Sequence, residues 1–147
     1  MAGFGSEKLS KRTQWIIAAA VFAVSAVFVT ILHTAGAREP VITVTDSQVQ
    51  IKSMFGQKID FLDITGVTLI EQSLSEIMPN SHRRNGADVG GALKGHFSIG
   101  DRRFMLFVRK KSAPTIWLER EGGDVYISLK DGEKTRALYS EIISAWS

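Results

Sequence analysis

The chain has 147 residues, a net charge of +3 and no cysteine. That length suits one domain of ordinary size, and the missing thiols exclude disulfides, thiolate metal sites and thiol catalysis. Its three histidines show no metal-ligand pairing, since His33 sits in an apolar run and His82 and His96 are far apart, so neither a metal nor a cofactor is expected.

Residues 15–32, WIIAAAVFAVSAVFVTIL, carry no charge. As a helix rising ~1.5 Å per residue, the run is about 27 Å long, close to the ~30 Å hydrocarbon core of a bilayer. Its polar side chains are Ser25 and Thr30, too few for the polar face of a soluble helix. Lys8, Lys11 and Arg12 precede it, against Glu7 alone, and only Arg38, beside Glu39, follows closely. Basic residues stay on the cytoplasmic side. The expected arrangement is a cytoplasmic tail (1–14), a single-pass anchor with a short linker (15–37) and an extracytoplasmic domain (38–147). Ala35-Gly36-Ala37 also resembles a signal-peptidase site, although the apolar run exceeds the usual signal core of ~7–15 residues.

After Pro40 the pattern turns β-like. VITVT (41–45) and QVQIKSM (48–54) flank an Asp46-Ser47 turn, and KIDFLDI (58–64) and GVTLIEQ (66–72) follow. Asp60 and Asp63 are expected to face water. GHFSI (95–99) and RRFMLFV (102–108) flank Gly100-Asp101, which reads as a tight hairpin. TIWLER (115–120) and DVYISL (124–129) flank Glu121-Gly122-Gly123, a second hairpin. The last segment, 131–146, places Tyr139, Ile142, Ile143 and Trp146 on one helical stripe, widened by Leu138, with Asp131 as N-cap and Glu133 in the first turn. About seven short strands and one closing helix predict a mainly β domain, an antiparallel barrel or sandwich capped by that helix.

Between these segments lies HRRNGADVGGALKG (82–95), in a stretch (73–94) that reads as a long connection. Its glycines admit sharp turns, and its arginines with exposed N–H groups would suit a phosphate or carboxylate. The competing reading is that the glycines only satisfy backbone geometry and the arginines pair locally. GADVGG lacks the Gly-Lys-Ser/Thr ending of a nucleotide-binding loop.

The chain resembles bacterial pleckstrin-homology-like (PH-like) domain membrane proteins over about residues 41–146. The likeness rests on DITGVTLIEQ (63–72), Arg83-Arg84-Asn85-Gly86, GHFSIGDRRFMLFV (95–108) and the closing helix. It implies a seven-stranded, strongly bent antiparallel sheet closed by one helix, and no catalysis. The basic first loop through which eukaryotic PH domains often bind phosphoinositides has no counterpart here, since 46–57 holds only Lys52.

Charge is unevenly spread. Residues 83–111 hold Arg83, Arg84, Lys94, Arg102, Arg103, Arg109, Lys110 and Lys111 against Asp88 and Asp101, while 38–82 and 112–147 are net negative. Such asymmetry steers anionic partners. The candidate binding residues are therefore Arg83, Arg84, Asn85 and Gly86, with Arg109, Lys110 and Lys111. Catalysis is not expected: Ser81-His82 adjacency makes no nucleophile–base pair, and Asp60 and Asp63 lack a recognisable cleft. Nucleic acid is not an expected partner outside the membrane. The expected function is a non-enzymatic, membrane-anchored module docking a protein or anionic ligand. The alternatives are contact with anionic lipid through 83–111, or a structural subunit assembling through sheet edges or the alanines of the anchor.

Overall fold

The structure, a computed structural model, describes residues 8–147. The chain divides into two compact units, one ending at Thr34 and one spanning Ala35–Ser147. Residues 1–7 of the expected tail, Glu7 among them, lie outside the described residues.

Helix α1 (Lys11–Ala37) begins inside the expected tail, because Lys11 to Gln14 continue the helical ladder of the apolar run. Its segment Lys11–Thr34 is long and apolar enough to cross a membrane, and its apolar side chains are exposed, with Trp15 at 76% and Phe22 at 77%. An exposed apolar helix has no partner in water, which is the property shared by a membrane span and a signal sequence. If α1 is an uncleaved anchor, the full chain will stay with the membrane pellet after alkaline carbonate washing and leave it only with detergent. Release of a fragment beginning near Arg38 would instead identify a cleaved signal.

The second unit has two sheets. Strands β1 (Val41–Val44), β2 (Gln48–Lys52) and β3 (Lys58–Asp60) form an antiparallel three-stranded sheet. The other sheet has six strands in the order β4-β8-β9-β7-β6-β5: β4 (Ile64–Ile70), β5 (His82–Val89), β6 (Ala92–Ile99), β7 (Arg102–Arg109), β8 (Thr115–Arg120) and β9 (Asp124–Ile127). A short helix, α2 (Leu74–Ile77), precedes β5, and α3 (Gly132–Trp146) ends the chain.

The expected seven antiparallel strands are thus nine, and one pair is parallel: β9 folds back from β8 and lies parallel to β7. Nearest-neighbour hairpins are legible in sequence, whereas the insertion of β9 between β7 and β8 is a long-range choice. The expected strand at 58–64 stops at Asp60, whose carboxylate accepts from Leu62 N at 2.9 Å and caps a single 3-10 turn (Phe61–Asp63). Both Asp60 and Asp63 are exposed, as expected.

The six-stranded sheet is buried on both faces, which explains the unbroken apolar run of β7. Met105 and Phe107 face a core shared with Val49, Ile51 and Ile59 of the small sheet and Leu138 and Ile142 of α3. Phe104, Leu106 and Val108 face a second core with Leu93, Phe97, Tyr126 and the Leu74 and Met78 side chains from the α2 segment. Asp131 caps α3 as expected, accepting from Glu133 N at 3.0 Å. The deeply buried line of that helix is Thr135, Leu138 and Ile142; Tyr139 and Trp146 lie at its margin. Thr135 tolerates burial because its hydroxyl accepts from Leu129 N at 3.0 Å. Every member of both cores lies between Val49 and Ile142, so Ala35–Ser147 carries its own hydrophobic interior.

Candidate functional site

The glycine-rich stretch is not a connection. His82–Val89 is the eight-residue edge strand of the large sheet, and β6 starts at Ala92, so the hairpin turn is Gly90-Gly91. Both turn glycines have positive φ (59° and 83°), the conformation that short hairpins require and that glycine adopts without strain. Glycine and arginine content suggested a loop; register shows why glycine is needed within strands. Gly86 pairs with Gly95, whose φ is 106°. A Cβ on Gly95 would lie 2.6 Å from Asn85 O, 2.7 Å from Gly86 Cα and 3.1 Å from the Phe55 ring. The Arg-Asn-Gly and Gly-x-Phe elements therefore form a cross-strand contact against which Phe55, from the β2–β3 connection, packs.

The candidate residues separate into distinct places. A cleft of about 340 Å³ lies beside the second core, between the α2 segment and β5–β6, with Arg83 and Lys110 among its lining residues. Leu74, Met78, Leu93 and Phe97 give it apolar walls, and Asp88 contributes a carboxylate. A second cleft, of about 450 Å³, is formed by Gly90, Gly91, Arg109, Lys110, Lys111, Ser112 and Lys130. Lys110 lines both. Arg84 lines neither: a β-bulge between Arg83 and Asn85 shifts the register there, and Arg84 Nε donates to Ser98 Oγ at 2.9 Å. Asn85 and Gly86 also lie outside both clefts, in the glycine contact.

The second cleft is positive and rigidly framed. Lys110 N donates to Gly91 O at 2.8 Å, and Lys110 O accepts from Ser75 N at 3.0 Å. Ser112 N donates to Arg109 O at 3.0 Å, closing the turn after β7. Arg109 N donates to Ser128 Oγ at 3.0 Å, and its guanidinium reaches Gly90 O at 3.4 Å and Ala37 O at 3.1 Å. Lys110, Lys111 and Lys130 are exposed, and among the described residues none of them is in an ion pair. Three ammonium groups on a fixed backbone suit a charge-dense anion, because opposed charge would relieve their mutual repulsion.

The cleft borders the linker that follows α1. Lys94, only 2% exposed, donates from Nζ to Arg38 O, and Glu39 accepts from Lys130 N. Burial, reinforced by the Arg109 charge, pushes the Lys94 pKa down, and Glu39 opposes that shift. Gly36 is buried against Val89, where a Cβ would come within 2.7 Å of a methyl carbon. The linker is therefore held by residues of β6, β7 and the β9–α3 connection. Lys94→Met should release Arg38 from that hold, raising the rate of tryptic cleavage after Arg38 at least severalfold; an unchanged rate would show that Lys94 does not restrain the linker.

Ser112 and Lys130 carry no signal in the sequence reading. Lys94 enters it only as one of the basic residues of 83–111, in a stretch that reads as a connection, and Lys130 is isolated in sequence, arriving at the cleft from the loop before α3. Ser81 lines the first cleft and His82 does not. Among the described residues, no group of three or more His, Cys, Asp or Glu could hold a metal ion. Compared with models of protein families, with curated proteins and with solved structures, the chain matches none.

Proposed function

We propose that this protein is a non-enzymatic, membrane-anchored binding module whose lysine cleft engages phosphate-bearing anions, foremost the headgroups of anionic phospholipids. The observation that carries the reading is the convergence of Lys110, Lys111, Lys130 and the Gly90-Gly91 turn around one cleft, with none of the three lysines in an ion pair among the described residues. The linker residues bonded beside this cleft, Ala37 to Glu39, follow the apolar segment by only a few positions in sequence. A basic group close in sequence to a span meets lipid headgroups at high local concentration, at about 1 kcal/mol per charge near the surface. The N-terminal basic residues support an N-in orientation with the β domain outside.

The PH-like reading belongs with this proposal. The order of β-strands, Arg-Asn-Gly element, Gly-x-Phe strand, hairpin and closing helix supports it. The parallel β7–β9 pair departs from the all-antiparallel expectation.

The test is co-sedimentation of soluble 35–147 with vesicles of anionic or zwitterionic phospholipid across a salt series. Binding to the anionic vesicles alone, falling steeply with salt, is the expected result. A soluble glycerophosphate arm separates the sources: competition at millimolar concentration would indicate recognition of the phosphate itself, and its failure would indicate dependence on the lipid surface. Absence of binding to anionic vesicles at low salt, with the domain folded by circular dichroism, would overturn the lipid reading.

A further inference from the structure

The other cleft and the strand beside it ask for a different occupant. β5 is an edge of the six-stranded sheet and, with eight residues, spans about 26 Å. Its inner side pairs with β6 from His82 to Val89. Among the described residues, no hydrogen bond from another element reaches its backbone groups on the outer side. The opposite edge, β4, is shorter, and α3 packs against it, with Arg136 bound to Glu71 just beyond its end at 2.5 Å.

β5 also carries an ordered charge pattern. His82, Arg83 and Arg84 are exposed at its start, and Asp88 is exposed near its end. Arg83 and Asp88 are opposite Phe97 and Leu93 on β6, two of the residues that supply apolar wall to the 340 Å³ cleft. The volume is at the lower end for ligand pockets, suited to one or two side chains rather than a large cofactor. The bulge between Arg83 and Asn85 interrupts pairing with another copy of the same strand, and in a parallel copy like charges would face each other. The same charges favour an opposite-sign strand, since directly opposed unlike charges stabilise a β pair and like charges destabilise it.

We infer that the outer edge of β5 is a docking site for an extended acidic peptide segment of a protein partner, which adds as a further strand and places an acidic side chain in the cleft between Arg83 and Lys110. The backbone supplies the unpaired N–H and C=O groups that strand addition needs, and the neighbouring cleft supplies side-chain selection. Asp88 gives the site polarity: the partner's carboxylates belong at the His82–Arg84 end, with a neutral or basic residue facing Asp88. This surface is separate from the lysine cleft except for Lys110, so the inference stands apart from the lipid proposal.

The experiment uses the full chain in nanodiscs of zwitterionic lipid, so that no anionic surface competes. The probe is a fluorescein-labelled nonapeptide alternating valine and threonine, with two glutamates at one end and one lysine at the other. Its companions are the same peptide N-methylated at alternate residues, in two versions that each block one edge, and a peptide with lysine in place of glutamate. Anisotropy and hydrogen exchange over 82–89 are the readouts. Expected are saturable binding, slower exchange in 82–89, loss of binding in one N-methylated version and a loss of about tenfold or more with Arg83→Glu. Arg83 is exposed and outside both cores, so that variant retains the fold, which its melting curve checks. Asp88→Lys should improve binding of a peptide whose terminal lysine is replaced by glutamate.

Equal binding by both N-methylated versions would show charge attraction without strand addition and would overturn the inference. So would absence of binding at low salt. Binding of anionic vesicles that is lost with Arg83→Glu but kept by the Lys110→Ala/Lys111→Ala/Lys130→Ala variant would assign this edge to lipid instead.

Discussion

Gly95→Ala should destabilise the β domain by about 3 kcal/mol or more, making it among the most damaging single substitutions in the chain. Two independent costs add at this position. The φ of 106° is one that residues with a Cβ rarely adopt. The new methyl would also meet Asn85 O at 2.6 Å and Gly86 Cα at 2.7 Å, both backbone atoms that can yield only if β5 separates from β6. Phe55, at 3.1 Å, would have to move too, disturbing the β2–β3 connection. Chemical denaturation of Ala35–Ser147 measures the effect. Gly100→Ala is the control: Gly100 has positive φ (57°), but no atom lies within 4 Å of its Cβ position. There the expected cost is about 1 kcal/mol, from backbone strain alone. Equal costs at the two positions would show that the close β5–β6 approach contributes nothing.

The triple variant Lys110→Ala/Lys111→Ala/Lys130→Ala should weaken binding to anionic vesicles by about 100-fold at low salt. The figure follows from roughly 1 kcal/mol for each charge near a lipid surface and about 1.4 kcal/mol for each tenfold change in affinity. Stability should scarcely change, because all three side chains are exposed and none is in an ion pair among the described residues. Vesicle sedimentation across a salt series reads the result. The variant should also show a shallower salt dependence, since fewer charges remain to be screened. Arg103→Ala, which removes an exposed cation of β7 outside both clefts, should lose far less. If it lost as much, the vesicles would be responding to net charge and not to the cleft.

Much of the site's meaning turned on what 82–95 became. Clustered glycine and arginine favour a flexible loop, and local composition contains nothing that opposes this reading. Strand formation at His82–Val89 comes from pairing with β6, and β6 is held in turn by β7. That is a tertiary override of weak local preference, as expected for an edge strand whose stability depends on its neighbour. Arg83 and Arg84 are adjacent in sequence, yet Arg83 lines a cleft while Arg84, at a bulge, donates to Ser98. A simple alternation rule cannot foresee a bulge.

The sequence by itself determined the local devices: an uncharged apolar run (15–32) long enough as a helix to span a bilayer, the β6–β7 and β8–β9 hairpins, the Asp131 cap and the amphipathic α3. Each depends on periodicity, turn chemistry or capping among residues close along the chain. The tertiary structure alone decided that β9 enters beside β7, that strands group into sheets of three and six, and that Lys130 joins Lys110 and Lys111 at one cleft. Those outcomes pair segments distant in sequence, and their energy comes from burying two faces of a sheet at once. No short window of residues carries that information.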